Sequence, residues 1–145
     1  MFLKTQSESD RLAVWRKFRQ DFPHQGTAQM VVEAFAPIKP LTRYIDYYMP
    51  ENWISAFEIV KDGLLCPSGI TLVLASTLVH LKLVNSERLR FDVISNHITG
   101  TTGLVLVHDG MYYNFLPGEI VPAEVAEANS TCFARHIIAS DKLCH

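Results

Sequence analysis

Residues 63–84 read Gly-Leu-Leu-Cys66-Pro-Ser-Gly-Ile-Thr-Leu-Val-Leu-Ala-Ser-Thr-Leu-Val-His80-Leu-Lys-Leu-Val84, and this stretch decides the fold. Proline is favoured at the first helical position, so Pro67 predicts a helix start and puts Cys66 at or beside the cap. From Ile70 onward, apolar residues point in almost every direction around the helical wheel. A helix that is apolar all round is a central, buried one, and it is predicted from about Pro67 to Leu83. Thr71, Ser76, Thr77, His80 and Lys82 interrupt the apolar run, which stays short of the roughly 20 residues of a membrane span.

Working outward, the chain before Gly63 reads as helical. Ser7 is a helix cap with Asp10 three residues on, and Leu12, Trp15, Phe18, Arg19 and Phe22 then fall near one face. Three large aromatics in one stripe must pack on this domain or on another chain, as a seam with a partner or in a homodimer. Residues 27–36 read as a short second helix, 41–49 as ambiguous, and Pro50 to Val60 as a third helix stopped by Asp62-Gly63. Trp53, Phe57 and Val60 share a face of it.

After Asn85-Ser86 the apolar period changes to two. Phe91, Val93 and Ser95 alternate with Arg90, Asp92 and Ile94. Thr102 to Val107 and Tyr112 to Leu116 read as two further strands, and Asp109-Gly110 between them is a hairpin signal. Residues 123–128 read as a short helix and Thr131 to Ala139 as a last strand. Helices followed by strands predict an α+β domain, with a helical N-terminal half and a central buried helix packed on an antiparallel sheet. A length of 145 residues with no internal linker predicts a single domain over 1–145.

Composition narrows the function classes. Net charge is -2, with 48% hydrophobic and 19% charged residues, so nucleic acid and anionic membrane are not expected partners. Arg11, Arg16, Lys17 and Arg19 read as the solvated face of the first helix. The opening MFLKTQSESD is unlike a secretion signal, which predicts a cytoplasmic chain with reduced thiols. No Gly-rich phosphate loop is present, and Cys132-x3-His136 with Cys144-His145 is too sparse for zinc. No cofactor and no metal are expected.

Cys66 carries the chemistry. A thiol at a helix start meets unpaired N–H groups and the positive end of the helix dipole, a setting that favours the nucleophilic thiolate and an oxyanion. Such a nucleophile needs a base and an orienting group. His97, after the first strand, is the candidate base, with His108 at the hairpin as the other choice and His80 read as a core residue. Asn114 is the candidate orienter, better placed than Asp92 or Asp109.

The order from Gly63 to Pro117 resembles the transglutaminase-like branch of the papain-type cysteine enzymes. Cys66 starts the buried helix, a connecting strand follows, and Asp109-Gly110-Met-Tyr-Tyr-Asn-Phe-Leu-Pro117 is similar to the family's turn and aromatic strand. The resemblance implies a papain-like or transglutaminase-like fold and Cys66 as nucleophile. Overlaying the hairpins puts the family's histidine near Thr101 or Thr102 and its aspartate on Leu116. A shifted triad of Cys66, His97 and Asn114 would keep the chemistry, with a flexible Thr99–Gly103 loop bringing His97 round.

Two functions are therefore expected. The first is cysteine-dependent acyl transfer or amide and peptide cleavage. The second is a non-catalytic protein-interaction or inhibitor role on the same scaffold, with Tyr44, Tyr47, Tyr48, Trp53, Tyr112 and Tyr113 as interface aromatics. The first takes a protein or peptide amide as substrate, and the second a protein partner.

Overall fold

A computed structural model of the protein describes residue 3 and residues 7–41, 47–85 and 87–143. Tyr44, Cys144 and His145 lie outside the described residues. The fold is α+β, and its five-stranded antiparallel sheet has the order β4-β3-β2-β1-β5. The strands are β1 (Arg88–Asn96), β2 (Thr102–His108), β3 (Met111–Leu116), β4 (Glu119–Pro122) and β5 (Ser130–Ala139). Four helices precede the sheet: α1 (Glu8–Asp21), α2 (Ala28–Phe35), α3 (Ala56–Asp62) and α4 (Pro67–His80). A fifth, α5 (Ala123–Ala128), lies between β4 and β5.

Helix α4 is the axis of the molecule. Every residue from Ser68 to Leu78 is buried, as expected of a helix apolar all round. It packs against β2, α2 and α3, and its core takes in Leu104 and Leu106 of β2, Val31, Val32 and Phe35 of α2, Ile59 and Val60 of α3, and Phe91 and Val93 of β1. The helix ends at His80, three residues earlier than expected, because Lys82 takes a positive φ of 58° and turns the chain. His80 is exposed at that end and not a core residue.

Other expectations are corrected by the structure. Pro50–Asn52 forms a single 3-10 turn, and α3 begins only at Ala56, where the Ser55 hydroxyl accepts the Glu58 N–H. The break lets Trp53 drop edge-on against Phe91 and His136, while Phe57 stays exposed. Strand β4 was not anticipated, since four residues show too little alternation to declare themselves.

Arg11 is not part of a solvated face. It is 9% exposed, and its guanidinium donates to the Val60 and Lys61 carbonyls at 2.8 and 2.7 Å. These carbonyls belong to the last turn of α3, where a cation also suits the helix dipole. The helix closes at Gly63 with φ 69°, where a Cβ would stand 3.1 Å from that guanidinium.

The opposite face of the sheet holds a second core, with Ile94, Val105, Val107, Tyr112 and Phe115 packed under Ala126 of α5. Tyr112 and Tyr113 are thus core residues on opposite faces and not interface aromatics. Beside the second core lies Asp92, with no exposed surface. Arg90 donates to both its oxygens at 2.9 and 2.8 Å, Arg135 to one at 3.2 Å, and the Tyr112 hydroxyl to the other at 3.3 Å. The network ties β1, β3 and β5 together. Burial pushes the Asp92 carboxyl up, but the two guanidinium groups outweigh it and hold it below its ordinary value of 3.8.

Trp15 docks α1 onto the core around α4. It is 4% exposed, and its indole N–H donates to the Thr77 hydroxyl at 2.9 Å. Trp15→Ala should cost about 3 to 5 kcal/mol of stability, read as a lower midpoint in a urea titration. Asp92→Asn should cost about 3 kcal/mol at neutral pH, modest for a buried pair because both arginines reach solvent. A carboxyl depressed by folding adds stability above its unfolded value and loses it as pH falls through its folded value. The wild-type protein should therefore lose stability below about pH 4 more steeply than the variant.

Candidate functional site

The first turn of α4 is wedged between two strands. Strands β2 and β3 pair only through Leu106–Tyr113, Val107–Tyr112 and His108–Met111. Beyond that point the register of β3 is broken, and Asn114 takes φ 60°. The strands part, and α4 enters the gap. Ser68 Oγ accepts the Leu104 N–H at 3.2 Å, and Thr71 Oγ1 donates to the Leu104 carbonyl at 2.9 Å. Two helix side chains thus supply the pairing that β3 has withdrawn.

Asn96 closes the gap from its other side. It is 4% exposed and donates through Nδ2 to the Phe115 carbonyl at 2.7 Å. Its Oδ1 accepts the Ile98 and Thr99 N–H groups at 2.9 and 3.1 Å. What is left open is a cleft of about 60 Å³, walled by Pro67, Thr71, Asn96, Thr101, Gly103 and Asn114 among others. That is room for about two water molecules.

Cys66 is the N-cap of α4, as Pro67 implied. Its sulfur accepts the Gly69 N–H at 3.3 Å, and the residue is 2% exposed. His97 is exposed in the turn after β1. Its Nε2 lies 2.8 Å from the Thr131 hydroxyl, and its N–H donates to the Asn129 carbonyl at 2.9 Å. The ring is directed to β5. Cys66 and His97 share no hydrogen bond. The turn carrying His97 is built and not loose, because Asn96 caps it and the Thr99 and Thr101 hydroxyls meet at 2.7 Å. Asn114 is half-buried on the cleft wall, and its Oδ1 accepts the Gly118 N–H at 2.9 Å. His108 stands at the hairpin beside Tyr113.

On the cleft wall beside Thr101 and Thr102, Gly103 of β2 approaches the first turn of α4. A Cβ there would stand 2.9 Å from Ser68 Oγ and 3.9 Å from Pro67 Cβ. Tyr113, Asn114 and Phe115 of β3 line the cleft, while Leu116 packs with the second core. Ser68, Thr71 and Asn96 escaped the sequence reading. Their one signal was short polar side chains in an otherwise apolar helix and strand. Among the described residues no group of three or more His, Cys, Asp or Glu is gathered to hold a metal ion. No described helix is long and apolar enough to cross a membrane.

No family model and no curated protein sequence matches the chain. Solved structures do. The calcium-bound form of LapG from Legionella pneumophila aligns at 14% identity with a TM-score of 0.65, over 95% of this chain and 82% of LapG. A second LapG structure gives 14% and 0.66 over 96% and 83%, and an EGTA-treated one 14% and 0.66 over 94% and 80%. The fold is transglutaminase-like. At this identity the likeness carries the fold and not the chemistry.

Asn96→Ala should remove one donor from Phe115 and orphan two amides. The expected loss is at least about 2 kcal/mol, with hydrogen exchange at Ile98 and Thr99 accelerated beyond the global change.

Proposed function

We propose that the chain binds a protein or peptide segment on a cysteine-enzyme scaffold and does not cleave it. One observation carries this reading: Gly103 of β2 lies against the first turn of α4, and it has no side chain to act as a base. Ser68 Oγ fills that space, held there by its bond to Leu104. The remaining features agree with it. The Cys66 sulfur is covered and its hydrogen bond goes to Gly69, and the His97 ring is engaged by Thr131. A nucleophilic thiol needs a base within hydrogen-bonding reach.

A second reading keeps catalysis. Cys66 would be the nucleophile, His97 the base after leaving Thr131, and Asn114 the orienter. The thiolate would attack an amide carbonyl, the Gly69 N–H would face the oxyanion, and a thioester would form as the amine leaves with the proton from His97. What favours it is that Asn114 lines the same cleft as Pro67, the residue next to Cys66.

Alkylation separates the two readings. With iodoacetamide near neutral pH, exposed Cys132 should react well ahead of Cys66, and His97→Ala should leave the Cys66 rate unchanged. An activated ester should hydrolyse no faster than in buffer. Faster labelling at Cys66, slowed by His97→Ala, would overturn the binding reading in favour of the catalytic one.

A further inference from the structure

The edge of the sheet at β5 carries an inference that does not depend on the cleft. Strand β5 is ten residues long and ends the sheet, with β1 on its inner side alone. Among the described residues no backbone group pairs with its outer side. Long open edges are usually guarded by lysine, proline or a bulge. Here the sequence Ser130-Thr-Cys-Phe-Ala-Arg-His-Ile-Ile-Ala139 has neither proline nor lysine. Its one irregularity lies opposite the step from Val93 to Ile94 and leaves Ala134–Ala139 in regular register.

The only full charge on the strand does not guard the edge. Arg135 pairs with Asp92 of β1, and Asp92 draws the guanidinium back over the sheet through Nε at 3.2 Å. Only Nε is engaged, and the side chain is 52% exposed, so both terminal nitrogens remain available to a partner. Ile137 pairs with Arg90 and so shares the face of Arg135, and it is 53% exposed. Phe133, 55% exposed, stands at the irregular end. Arg88, Arg90 and Arg135 line one groove along this face, with Glu127 of α5 and Asp109 of the hairpin in the same wall.

We propose that β5 receives an extended peptide as a sixth strand, with an acidic side chain set over Arg135 and an apolar one beside Ile137. The main-chain edge supplies affinity, and the charge and the apolar neighbour select the sequence. A second copy of this chain fits less well. Pairing β5 with itself about Arg135 would set two arginines face to face, and no acidic residue lies on the strand to answer them.

The test uses the full chain and capped peptides of pattern apolar-Thr-Glu-Thr-apolar, followed by fluorescence anisotropy. Replacing Glu by Lys should weaken binding roughly tenfold, since an opposite-charge pair is exchanged for a like-charge one. Methylating alternate peptide nitrogens should abolish binding, because the added strand loses its ladder. Ile137→Lys should weaken binding while leaving the melting temperature unchanged, which separates recognition from folding. Equal affinity for the Glu and Lys peptides would overturn the proposal, as would no binding at millimolar peptide. A dimer in gel filtration that Ile137→Lys dissociates would also overturn it, by showing that a second copy holds the edge. None of these readouts involves Cys66, so they stand apart from the alkylation result.

Discussion

Leu104 has its N–H and C=O answered by Ser68 and Thr71 of a helix, where a strand would ordinarily stand. The geometry of the candidate site depends on that exchange. A sheet cannot leave buried backbone groups unpaired, so β2 and β3 can part only if something else satisfies them. The helix start does so, and the same two bonds fix where Cys66 lies relative to β2. Asn96 performs the reciprocal task for Phe115. The cleft is the space left between these substitutions, and each wall is held by a hydrogen bond rather than by packing alone.

That arrangement constrains chemistry. Gly103 lets the first turn of α4 approach the strand, and any larger residue would have to displace Ser68. The close approach that satisfies Leu104 and a side-chain base at the same position therefore compete for one volume. A scaffold shared with LapG over most of the chain is compatible with either outcome, because a fold positions residues without specifying which residues they are.

The two faces of the sheet are stabilised differently. On the α4 face, aliphatic packing dominates, with α1 and α3 locked by Arg11 over the end of α3 and Trp15 over Thr77. On the other face, a smaller apolar cluster is joined by the buried Asp92 and its partners. The carboxylate orients both arginines and holds Arg135 through Nε alone.

Some of this was legible in the residues. The apolar residues on almost every face of 70–78, with Pro67 before them, dictated a buried helix with Cys66 as its cap. The period-two pattern of 89–96 and the Asp109-Gly110 turn dictated antiparallel strands. These are local consequences of periodicity and backbone preference, and a single chain contains them. The bulge at Asn114 was not legible, because asparagine adopts a positive φ in many settings without marking a strand break. The break sets Tyr112 and Phe115, three positions apart, into one core, where simple alternation would put them on opposite faces. The roles of Arg11, Ser68 and Asn96 depended on carbonyls and amides 19 to 50 positions away along the chain. Which distant backbone group needs a partner is decided only when the tertiary structure brings the two together.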